Sequence, residues 1–162
     1  MTQPLLKAGL HPSASDALRK AGVTADRVGQ TTGHARASAG THEPDGTVNG
    51  HEYSAATDIR IGGMSEAEVK ALADKLSAQG FACFPRYPGR DHWGASEVKH
   101  MHIVYGGCAM KQVLRRQVHD FCHSPQMLNG LASHAPYTFW HPQEASVQVV
   151  RTLFLAHNPT NG

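Results

Sequence analysis

Hydrophobic positions repeat most clearly over 66–78, where Val69, Leu72, Ala73 and Leu76 recur at helical spacing. Ser65 stands before this run and Glu68 three residues later, so a capping box predicts where the helix starts, and Gly80 predicts where it stops. Segment 13–21 reads as a shorter helix with Ser13 or Ser15 as its cap and Gly22 as its end. Segments 109–122 and 144–156 also gather their apolar residues on one side, as with Leu114, Val118 and Phe121, or Val150 and Leu153. Strand patterns are shorter: ATDIRI at 56–61, FACF at 81–84 and HMHIVY at 100–105. The stretch 30–50 is rich in Gly, Thr, His and Ala and reads as loop, with tight turns at Asp45-Gly46 and Asn49-Gly50. A turn-rich loop at 86–97 and an irregular aromatic stretch at 131–143 complete the pattern.

This order predicts an α+β fold: a small antiparallel sheet, helices packed on one side of it, and a helical C-terminal extension over 106–162. The 162 residues suit one domain of roughly 100–200 residues, and no repeat or linker divides them. Residues 1–29 form an N-terminal helical segment of that domain. They contain Pro4 and Pro12 and no long apolar run, which predicts neither a secretory signal nor a membrane span, and hence a cytoplasmic chain as written.

Charge narrows the partners. A net charge of +2 with scattered basic residues forms no concentrated positive face, so no nucleic-acid partner is expected. Three Cys without a CxxC pair argue for buried thiols rather than a disulfide scaffold. Twelve His are many, which favours a metal site but also makes any single His spacing weak testimony.

Two segments carry the chemistry. HEYSAATDI (51–59) sets His51 six residues before Asp58, and EVKHMHIV (97–104) sets Glu97 before His100 and His102. On a strand, Asp58 and Arg60 share a face, as do His100 and His102, because side chains two apart point the same way. Two imidazoles and one carboxylate suit a catalytic zinc, which keeps its fourth position open for water. A nearby carboxylate that is not a ligand, here Glu97, suits such a water as proton acceptor. A second pair, His119 and His123 in HDFCH, has the helical spacing of the HExxH motif with Asp120 in place of the Glu. With only His134 or His141 to complete it, that pair reads as a helix-surface coincidence.

The pattern over roughly 30–105 resembles the zinc metallopeptidases of the hedgehog/D-alanyl-D-alanine peptidase superfamily. Their first motif is His-x6-Asp with Ala two residues before the acid, matched by His51, Ala56 and Asp58. Their second ends in His-x-His or a single ligand His preceded by Glu, matched by Glu97, His100 and His102. The resemblance implies His51, Asp58 and His102 as ligands of Zn2+, Glu97 as base and His100 as the companion near the oxyanion. A rival alignment makes His100 the ligand. It also implies a peptidase acting on peptidoglycan stem peptides or D-alanyl peptides, reaching the wall by export or lysis. The alternative within the same superfamily is a non-catalytic, zinc-stabilised binding module like the hedgehog domain. Asn49 and Ser54 depart from the family's Ser before and Gly after the first His. Residues 106–162 lie beyond the resemblance.

Overall fold

The computed structural model describes residues 4–31, 44–87, 100–123 and 139–159. Its elements run α1 (Pro12–Lys20), β1 (Gly46–Val48), β2 (His51–Tyr53), β3 (Ala56–Arg60), α2 (Glu66–Ala78), β4 (Phe81–Arg86), β5 (His100–Tyr105), α3 (Gln112–His123) and α4 (Glu144–His157). The fold is α+β, with a two-stranded antiparallel sheet β1–β2 and a three-stranded antiparallel sheet in the order β3–β5–β4. Among the described residues no helix is long and apolar enough to cross a membrane.

β5 is the central strand, and β4 and β5 are buried along nearly their whole length on both faces. That is the continuous apolar run of a covered strand rather than the alternation of a half-exposed one. Cys83 faces α2, its Sγ 3.8 Å from the Ala73 carbonyl oxygen, whereas Phe84 on the opposite face meets Phe121 of α3 edge-on. Helices therefore cover both faces, not the single side expected from the sequence. The sheet is too apolar to leave one face to water. Pro85 lies on β4, where its missing N–H is tolerated because the strand is at the sheet edge.

The capping box of α2 forms as its sequence requires: Glu68 N donates to Ser65 Oγ, and Ser65 N donates to Glu68 Oε1. The start of α1 differs from expectation. Pro12 occupies the first turn, and the cap is His11, whose Nδ1 accepts from Ser13 N at 3.1 Å. Ser15 lies inside the helix, buried, and its hydroxyl accepts from Leu6 N instead. The Asn49-Gly50 turn closes a hairpin where a loop was expected. Both residues have positive φ, 52° and 79°, the conformation that two-residue hairpin turns require.

The hairpin is pinned by Asp45, whose carboxylate is fully buried. One oxygen accepts from Ala55 N at the entry to β3, and the other accepts from Lys111 N and Lys111 Nζ just before α3. Tyr53 Oη adds a bond to the Ala109 carbonyl oxygen. Within the aromatic stretch Phe139 and Trp140 are buried, with Trp140 Nε1 donating to Asp74 of α2.

Removing the Asp45 carboxylate leaves an ammonium and two N–H groups without their acceptor. Asp45→Ala is expected to cost about 3 kcal/mol or more, read from urea denaturation. His11 generates a pH effect. Its partial burial, then the nearby His157, hold its pKa below the usual histidine value of 6.5, and its cap works only while Nδ1 is unprotonated. The unfolded chain thus binds the proton more readily. The His11 contribution is complete above pH 6.5 and is lost as pH falls from there through the lower folded value. His11→Asn keeps a cap acceptor but cannot titrate, so its urea midpoint should change less than that of the native chain between pH 7.5 and about pH 5.

Candidate functional site

β3 and β5 pair so that Asp58 lies directly opposite His102, and Arg60 opposite His100. The face shared by Asp58 and Arg60, and that shared by His100 and His102, are as strand parity requires. β4 extends the two rows with Phe84 beside His102 and Arg86 beside His100. One row is thus Asp58, His102, Phe84. The next, roughly 7 Å along the strands, is Arg60, His100, Arg86.

The backbone of Asp58 is fixed on its outer side. Gly29 N donates to the Asp58 carbonyl oxygen at 2.7 Å, and Asp58 N donates to the Gln30 carbonyl oxygen at 2.9 Å. The approach is close enough that a Cβ at Gly29 would stand 3.1 Å from that oxygen. The strand position therefore leaves the Asp58 side chain little freedom but a fraction of its surface, 23%, in solvent.

His102 is 2% exposed and is held at both ring nitrogens. Nδ1 lies 3.2 Å from Asp58 Oδ1, and Nε2 lies 2.8 Å from Oε1 of Gln117, a buried residue of α3. Burial is the strongest influence on this ring and pushes its pKa below 6.5, against the hydrogen bonds to Asp58 and Gln117 that favour the charged form. The neutral ring carries one proton. The Asp58 carboxylate and the Gln117 oxygen both accept, so the neutral ring donates to one of them at a time; with a cation held between Nδ1 and Asp58, the proton would sit on Nε2 and face Gln117. Two ligands each about 2.0–2.1 Å from a tetrahedral zinc stand roughly 3.3–3.4 Å apart. The observed 3.2 Å between Nδ1 and Oδ1 matches that spacing. Gln117 is the kind of outer partner that fixes a ligand imidazole's tautomer. Sequence reasoning missed it. A polar residue inside the otherwise apolar α3 stripe beside Leu114, Val118 and Phe121 was the available signal.

His100 is half-buried, with Nε2 3.3 Å from Arg86 Nη1. Arg60 is exposed and donates to the Asp26 carbonyl oxygen. His51 is placed apart from this pair. It is exposed at the hairpin tip opposite Val48, and it lines two surface cavities of about 260 and 480 Å³ with Leu5 of the N-terminal segment. Among the described residues no three His, Cys, Asp or Glu side chains are grouped to hold a metal. The structure thus joins Asp58 to His102 and does not join His51 to them. Glu97 and His134 lie outside the described residues.

His119 and His123 do share a helix face. Both are exposed, and their rings stack at 4.2 Å between centroids, while Asp120 is buried. Asp45 spends its oxygens on Ala55 and Lys111. All three cysteines are buried thiols. Burial raises the pKa of Cys83 strongly, that of Cys108 to about 12 and that of Cys122 to about 11.

No protein-family model, curated protein or solved structure matches the chain.

Long-range 1H–15N correlation at pH 8 on protein loaded with zinc should show His102 with its proton on Nε2 and none on Nδ1. A proton on Nδ1 would instead make the Asp58 contact an ordinary carboxylate–imidazole hydrogen bond. Gln117→Leu should cost about 1–3 kcal/mol, because it leaves the buried Nε2 of His102 without its partner.

Proposed function

We propose that the chain is a zinc-dependent peptidase acting on peptidoglycan stem peptides or D-alanyl peptides. The observation that carries this reading is the pair of half-buried Asp58 and buried His102, spaced as two ligands of one ion, with Gln117 at the far ring nitrogen of His102. In this reading Asp58 and His102 are two of the ligands and His51 completes the set from the β1–β2 hairpin.

The choice of His102 over His100 as ligand follows from surroundings. His102 faces a carboxylate and is held by an amide, whereas His100 faces the Arg86 guanidinium, whose charge repels a cation. Zinc bound there would supply Lewis acidity and lower the pKa of a water to about 7. Glu97, three residues before His100, is the base that takes the proton from the attacking water and returns it to the leaving amine. His100 is the donor that stabilises the developing oxyanion, and Arg86 beside it keeps that corner of the site positive.

The separation of His51 from the pair favours a second reading, a binding module in which Asp58 and His102 serve architecture alone. Metal analysis and digestion of purified muropeptides distinguish the two. The peptidase reading expects one tightly bound zinc, lost in Asp58→Ala and His102→Ala, and cleavage that falls by two orders of magnitude or more in Glu97→Gln with zinc retained. Zinc retained in His51→Ala would remove that residue from the ligand set. Full cleavage by Glu97→Gln would remove the base. Absence of both zinc and cleavage in the native chain would leave the module.

A further inference from the structure

α3 has a second polar face, turned away from the sheet. Gln117 points to His102, while Gln112, Arg115, Arg116 and His119 lie about half a helical turn away. With Phe154 and Asn158 at the end of α4, these four residues line a surface cavity of about 260 Å³ between the two helices. The cavity contains no acidic residue in its lining. It is separate from the Asp58–His102 pair and from the cavities beside His51.

No ion pair neutralises these charges among the described residues. Arg115 Nε donates to the Met110 carbonyl oxygen at 3.1 Å, which fixes the plane of its guanidinium and leaves the terminal nitrogens to point elsewhere. Arg116 is exposed and has no ion pair or hydrogen bond among the described residues. Adjacent positions on a helix do not face each other directly, but Arg115 and Arg116 both line this one cavity. Asn158 is different: it is fully buried, and its amide is spent on Met110 N and the carbonyl oxygens of Cys108 and Phe154. It forms wall, not ligand contacts. Phe154 is half-buried and gives the cavity an apolar floor.

From this combination we propose that the α3–α4 cavity binds a small oxyanion that carries an aromatic or acyl group. Arg115 and Arg116 take the anion, since guanidinium forks match carboxylate and phosphate oxygens. The His119 imidazole supplies one further N–H, and Gln112 an amide at the helix start. The apolar body of the ligand lies on Phe154. Carboxylate and phosphate share the needed chemistry, and the titration separates them.

The test is a chemical-shift titration of the 15N-labelled full chain with phenyl phosphate, benzoate and benzyl alcohol. Phenyl phosphate or benzoate should saturably shift amides of 112–119 and 154–158, and the tighter of the two identifies the anion class. Benzyl alcohol, which lacks the charge, should not. Arg116→Gln removes an exposed side chain with no structural partner, so the fold persists. It should weaken the anion roughly tenfold or more. Equal response to benzyl alcohol, shifts scattered over the chain, no saturable shift at millimolar ligand, or unchanged binding by Arg116→Gln would each overturn the proposal.

Discussion

An imidazole buried at the centre of a covered sheet must be satisfied at both nitrogens, and that requirement organises the heart of this protein. β5 is flanked on both edges and covered on both faces, yet it carries His102 at its middle. Leaving either nitrogen without a partner there would cost a desolvated polar group, on the order of 1–3 kcal/mol. The chain answers with Asp58 from β3 and Gln117 from α3. Strand pairing, helix docking and the protonation of one ring are thereby tied together. Registers that shift β3 by one residue would turn Asp58 to the other face.

The fold was largely legible because its elements are locally specified. The capping box at Ser65 and Glu68, the apolar stripe of α2 and the short strands at 56–60, 81–86 and 100–105 all follow from spacing and propensity. What was not legible depended on distant partners. Nothing near Pro12 announces that His11 rather than a serine caps α1, since Ser15 is drawn off by Leu6. The β1–β2 hairpin is short, and it is held by Asp45 reaching across to Lys111, 66 residues on. Coverage of the second sheet face by α3 likewise arises from packing at long range.

The site divides along the same line. The opposition of Asp58 and His102 is a consequence of two strand assignments, and the sequence supports both. Gln117 is recruited from a helix beyond the motifs, so no motif could name it. His51 belongs to an element whose position is set by the Asp45 tie and the N-terminal segment, and six intervening residues do not determine where its ring points. Spacing in sequence constrains neighbours on one strand tightly and residues across a turn hardly at all.

The two rims of the larger sheet are treated differently. β3 continues into contact with Val28, Gly29 and Gln30, whereas β4 carries Pro85 on its outer side of the pairing order. A proline offers no amide to an incoming chain, and the strip at 28–30 already occupies the opposite rim. Ladder growth by a second molecule is thereby discouraged at both borders, so concentrated solutions of the folded chain should resist cross-β association even though β4 and β5 are among its most apolar segments.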